Sequence, residues 1–172
     1  NVVTVDGTAT IVNDDVPPVV DSFNGAPAPG DDWSDANTTP DGVALAEGVN
    51  TLVSTGENGD ADYITFSVAA GQQVTSITLA DYAGGGDSSF LGIQAGATTP
   101  TEAEIQSGSA TLDGGTVYNV AQVGQDILPL LSSTAVENAG QPTNGLATPL
   151  QEGAYTLWFN QNQGLTESTL EI

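Results

Sequence analysis

DADYITFSVAAGQQV, residues 60–74, is the stretch on which the fold turns: β-favouring apolar residues alternate with polar ones from Tyr63 to Val68, and the run stops at a Gly turn. Similar short alternations lie on either side, separated by Gly-rich turns. The candidate strands are Asn50–Ser54, Tyr63–Val68, Gln73–Leu79, Ser89–Ala95, Ser109–Leu112, Thr116–Val120, Ala154–Asn160 and Ser168–Ile172. Eight short strands at this spacing predict an all-β fold, an antiparallel β-sandwich of jelly-roll or immunoglobulin-like type with long acidic loops, over residues 43–172. Only Gly124–Leu131 reads as a helical turn, with Asp126 as its cap and Pro129 just inside it. Residues 83–88 and 136–145 read as flexible loops.

Upstream the pattern changes. Residues 1–15, NVVTVDGTATIVNDD, are β-branched at most positions and predict one extra N-terminal strand. Pro17 and Pro18 then stop any ladder, and residues 16–42 read as a Pro- and Asp-rich linker or a loop-rich cap. The chain opens on Asn1 and has no run of 18 apolar residues, so neither a signal peptide nor a membrane span is expected, and the numbering is expected to start inside a longer precursor.

Composition removes whole classes of chemistry. The 172 residues include 22 Asp and Glu but no Lys, Arg, His or Cys, for a formal charge of −22. No Ser–His or Cys–His pair, lysine Schiff base or arginine phosphate clamp can be built from such a chain. Nucleic-acid and anionic-membrane partners both need a cationic footprint, and neither is expected. Paired carboxylates for glycoside hydrolysis are allowed by residue type, yet nothing marks one acid as a proton donor beside a second as nucleophile, so a non-catalytic protein is expected. The metals left are hard, oxygen-ligated cations, with Ca2+ the expected one. An acidic chain of this kind suits a secreted, extracellular or cell-surface setting with calcium and salt; a halophilic cytoplasm is the competing explanation.

Two acidic clusters have the make-up of calcium loops. GDDWSDANTTPDG, residues 30–42, carries Asp31, Asp32, Asp35, Asn37 and Asp41. Calcium takes six to eight oxygens from such bending, carboxylate-rich loops, although the spacing is not that of an EF-hand. The alternative is a solvated connector with Asp in Asx-turns. A second cluster, Glu57, Asn58, Asp60 and Asp62, precedes the Tyr63 strand; it is either a calcium-bound hairpin end or turn chemistry around Gly56 and Gly59. Trp33, inside the first cluster, is the candidate aromatic for stacking on a glycan, with core placement as the alternative.

Two families are resembled. GTATIVNDD, residues 7–15, resembles the closing strand of a Calx-beta module, which implies that Asn13, Asp14 and Asp15 help to bind calcium at the edge of an immunoglobulin-like sandwich. Residues 60–172 are similar to the bacterial pre-peptidase C-terminal domain of secreted proteins, through DADYITFSVAAGQQV, SSFLGIQAG (88–96) and LQEGAYTLWFNQ (150–161). The function implied is a structural or adhesive module of a bacterial surface protein, with a calcium-dependent carbohydrate-binding module or an accessory domain of a secreted hydrolase as rivals. The N-terminal strand, through Val2, Val3, Val5, Ile11 and Val12, needs a partner. It folds back on its own domain, completes a neighbouring module cut by truncation, or is donated to another copy to build a filament by self-association.

Overall fold

The computed structural model describes residues 20–57, 59–84, 88–134, 136–137, 141–161 and 164–172. The strands in chain order are β1 (Ser22–Phe23), β2 (Ala26–Pro27), β3 (Asp41–Val43), β4 (Thr51–Gly56), β5 (Asp60–Val68), β6 (Thr78–Gly84), β7 (Ser89–Ala95), β8 (Gly114–Tyr118), β9 (Val136–Glu137), β10 (Gln141–Pro142), β11 (Gly153–Gln161) and β12 (Thr166–Glu171). Two short helices, α1 (Glu102–Gln106) and α2 (Leu128–Leu131), lie between β7 and β9. One five-stranded sheet runs β2-β1-β4-β12-β6 and a second runs β3-β5-β11-β7-β8, with β9 and β10 forming a two-residue ladder of their own. The first sheet is antiparallel throughout; the second is mixed, since β3 lies parallel to β5. The fold is an all-β sandwich, as the alternation predicts.

The period of two explains which residues meet between the sheets. Leu52 and Ser54 from β4, Asp62, Ile64, Phe66 and Val68 from β5, Leu157, Phe159 and Gln161 from β11, and Thr166, Ser168 and Leu170 from β12 are all buried. Nine paired positions join β11 to β5, from Gly153 opposite Val68 to Gln161 opposite Asp60, so the second sheet is built around one long inner pair. The opposite face of β5 and β11 is also covered. There Tyr63, Phe90 and Trp158 pack with Ile105 of α1 and Leu112 into a second apolar cluster, with Tyr63 stacked on Trp158 at a 6.0 Å centroid separation. Strands buried on both faces account for the dense apolar composition of residues 153–161.

Several expected elements differ. Residues 73–77 of the predicted Gln73–Leu79 strand do not join a sheet: Val74 exchanges backbone bonds with Leu150, and the Ile77 N–H donates to Asp126 Oδ1. The strand begins at Thr78 and runs on to Gly84. Ser109–Leu112 is the return from α1, where the N–H groups of Ser109 and Ala110 donate to the Glu104 carbonyl. α1 itself is held by a capping box in which Thr101 and Glu104 bond each other's backbone N–H. Of the two readings of residues 16–42, the described part, from residue 20 onward, is loop-rich but belongs to the sandwich: β1 pairs with β4, β3 pairs with β5, and Ala28 and Trp33 enter the core.

Candidate metal centre

Three separate pieces of chain converge at one end of the sandwich. Asp21 lies just before β1, Asp32 and Asp35 lie on the loop that leads to β3, and Asp60 and Asp62 open β5. The loop is held in place by Asp21, whose carboxylate accepts the N–H of Trp33 at 2.9 Å, the N–H of Thr55 at 2.5 Å and the Thr55 hydroxyl at 2.8 Å. Trp33 then turns inward; its Nε1–H donates to the Val53 carbonyl at 2.8 Å. One residue on, the Tyr63 N–H donates to the Ser34 carbonyl at 2.9 Å. Asp32 and Asp35 flank this doubly anchored pair and so face the start of β5.

The result is two overlapping sets of carboxylates. Oxygens of Asp21, Asp32 and Asp62 lie within 4.8 Å of one another, and so do oxygens of Asp35, Asp60 and Asp62. Calcium–oxygen bonds of about 2.3–2.6 Å put trans ligands roughly 5 Å apart and cis ligands closer, so each set is spaced to share a cation. Close approach of Asp60 depends on Gly56: a Cβ there would sit 2.5 Å from Asp60 Oδ2 and 2.9 Å from Gln161 Cδ.

Asp62 is common to both sets and fully buried. Its Oδ2 accepts the Ser54 hydroxyl at 2.6 Å, and Ser54 in turn accepts Gln161 Nε2 at 3.1 Å. Thr166 closes the network by donating to Gln161 Oε1. Asp62 Oδ1 has no hydrogen-bond partner among the described residues. Burial, with the like charges of Asp21, Asp60 and Asp32, pushes the Asp62 carboxyl up to about 8 against the opposing bond from Ser54. Burial is also the main cause that lifts Asp21 to about 6, against the bonds from Trp33 and Thr55. Asp60 is raised by burial and then by Asp32 and Asp35. A buried, ionised and unpaired carboxylate costs several kcal/mol. No side chain of this chain carries positive charge, so none can neutralise that carboxylate, a role left to a bound proton or an external cation.

Of the residues predicted as metal ligands, Asp32, Asp35, Asp60 and Asp62 are brought together. Asp41 lies in β3 opposite Ile64, Glu57 is exposed, and neither belongs to either set. Asn37 spends its Nδ2 on the Thr99 carbonyl at 2.7 Å. The Asp31 side chain, Asn13, Asp14, Asp15, Asn58 and the strand residues Val2, Val3, Val5, Ile11 and Val12 lie outside what is described. Trp33 requires a correction: it is 4 % exposed and its face packs in the core, so it offers no surface for a glycan. Asp21 is the member that sequence reasoning missed. It stands 39 positions before Asp60, and only the pairing of β1 with β4 brings it near.

Comparison with protein-family models, curated proteins and solved structures finds no match for this chain. Among the described residues no helix is long and apolar enough to cross a membrane.

Proposed function

We propose that the chain is a calcium-stabilised, non-catalytic β-sandwich module of an extracellular bacterial surface protein, with a structural or adhesive role. One observation carries the calcium element: the Oδ1 atom of Asp62, buried and without a partner among the described residues, beside four further carboxylates in a chain with no cationic side chain. An ion at this end of the sandwich would join the N-terminal stretch at Asp21 and the acidic loop to β5, so its role is mechanical. The setting follows from the same chemistry, since extracellular and saline media supply calcium freely. The absence of His, Lys, Arg and Cys supports a non-catalytic role, and the resemblances to pre-peptidase C-terminal and Calx-beta modules point to a part of a larger surface protein. The burial of Trp33 removes the aromatic that favoured a carbohydrate-binding module.

Thermal melting in EDTA and in excess calcium at matched ionic strength tests this. A ligand that binds only the native state at a hundredfold excess over its Kd adds about 2.7 kcal/mol. For a domain of this size the midpoint rises by on the order of 5–10 °C. Asp62→Asn should abolish that increment, because it removes the charge shared by both sets. Equal midpoints for the parent chain in the two media would refute the proposal.

A further inference from the structure

The edges of the two sheets are not equivalent. β2 is only two residues long and ends on Pro27, β3 carries Asp41, and β6 carries Asp81. The start of β6 is also covered, since the Gly124 N–H donates to the Leu79 carbonyl and the Ile127 N–H to the Ile77 carbonyl just before it, each at 2.7 Å. β8 differs from all three. No acidic residue occurs from Gly114 to Gln125, and β8 is the last strand of its sheet, paired on one side with β7. At the Gly114 end it is closed by α2, where a Cβ would meet the Leu131 carbonyl oxygen, and β9 also lies against β8, but among the described residues no strand hydrogen-bonds to the outer edge of Thr116–Tyr118. Val117, Val120 and Val123 are exposed by 37, 69 and 36 %, three of the six large apolar side chains exposed among the described residues. An uncharged, apolar edge without Lys or Pro is the kind that templates strand addition.

We infer that this β8 edge, with the apolar turn that follows it, receives residues 2–12 of a neighbouring copy as an added strand. Two chains of charge −22 repel one another, so contact is least opposed where acid is absent. Residues 1–12 contain one acid, Asp6, and offer Val2, Val3, Val5, Ile11 and Val12. Main-chain bonds to Thr116–Tyr118 supply affinity, and the exposed valines supply apolar contact. The topology sets a direction. The N-terminal stretch enters the fold at Asp21 beside β1, whereas β6 and β8 lie at the other lateral side, where Tyr82 packs edge-on to Tyr118. A donor rooted at Asp21 and an acceptor at the opposite lateral side give a head-to-tail contact that leaves one of each free at the ends of a growing chain. Residues 13–20 reach at most roughly 26 Å if fully extended.

The inference rests on the structural-module reading only in taking self-association as its purpose. Its test uses the full chain in calcium-containing saline, with mass measured by light scattering against concentration. The parent chain should grow to multiples of the single-chain mass. Val5→Asp removes the donor and Val117→Asp the acceptor, and each alone should remain a single chain. Mixed one to one, they should form a two-chain species and nothing larger, because one intact donor meets one intact acceptor. Val120→Asp, at a more exposed position, should weaken assembly at least tenfold. Unchanged calcium melting midpoints in these variants would show that they remain folded, so a failure of assembly is separable from a failure of the calcium reading. A parent chain that stays single at every concentration overturns the inference. So does assembly that survives Val5→Asp but not Val117→Asp, which would mean that two β8 edges pair with each other.

Discussion

The two ends of the space between the sheets are lined by the same four strands, yet they are built on opposite principles. At one end Leu52, Phe66, Leu157 and Leu170 fill the gap; at the other Ser54, Asp62, Gln161 and Thr166 fill it, two or four positions along the same strands. The apolar end is complete in itself. The polar end holds a network in which, among the described residues, the acceptor Asp62 Oδ1 is left over. Asp113 shows that this is not a general fate of acids in the chain. Its carboxylate accepts Gln94 Nε2 at 2.8 Å, the Ala95 N–H at 2.9 Å and Asn144 Nδ2 at 3.2 Å, and it is only half-buried. Without cationic side chains, a carboxylate is satisfied by amide donors and solvent or depends on something from outside. Asp113 is the first case, whereas Asp62 Oδ1 has no such donor among the described residues.

Substitutions at the two ends should therefore respond differently to calcium. Phe66→Ala at the apolar end should cost about 3–5 kcal/mol, the largest loss expected here, by the same amount in calcium and in EDTA. Denaturant melts in both media measure it. A cost that depends on calcium would break the division between the ends.

The pH profile sharpens the contrast. Asp62, with a folded-state pKa of about 8 against a reference value of 3.8, binds a proton on folding throughout that interval. Its contribution is then fully present below about pH 4 and is lost as pH rises toward 8, at up to about 1.4 kcal/mol per pH unit. Asp21 adds to the decline up to about pH 6. In EDTA the unfolding free energy should fall across this window, and in calcium the fall should be suppressed because the cation holds both carboxyls ionised. General repulsion among 22 carboxylates runs in the same direction, so Asp62→Asn in EDTA is the control that isolates the site. A parent and an Asp62→Asn chain with parallel profiles would remove Asp62 from the account.

Asp113→Asn makes the reciprocal test at the satisfied acid. The new amide nitrogen meets donors already present, at a cost of about 1–3 kcal/mol that calorimetry should find equal in calcium and EDTA. The calcium increment itself should survive, which separates loss of any carboxylate from loss of the one that lacks partners.

What was legible in the sequence follows from how local each feature is. β5, β7 and β11 carry seven to nine residues of strand pattern bounded by Gly, enough for their period to be read. β1, β2 and β3 have two or three residues each and no period at all. Residues 73–77 bury Val74 and Ile77 as a strand would, but their backbone partners are Leu150 and Asp126, distant in sequence. α1, five residues long, is too short for a helical period, although its Thr101–Glu104 capping box stands in the sequence. Both acidic clusters were visible because each is contiguous. Their union on Asp62, and the arrival of Asp21, depend on β1 lying on β4 and on Ser34 bonding Tyr63, which no local pattern encodes.

Trp33 offers the smallest effect and the finest test, because it belongs to both regimes: its ring packs in the apolar core while its neighbours Asp32 and Asp35 face the candidate ion. Trp33→Phe keeps most of the apolar volume but deletes the Nε1–H bond to the Val53 carbonyl, which then loses a partner at a cost of about 1 kcal/mol. That loss should be equal in calcium and EDTA if the ring serves the core alone. The anchor also positions Asp32 and Asp35, however, so the calcium titration of the variant should shift to higher concentration. Isothermal titration of parent and variant measures the shift. Loss of stability with unchanged affinity would show that the loop is held without the tryptophan bond, by the Asp21–Trp33 and Ser34–Tyr63 backbone bonds alone.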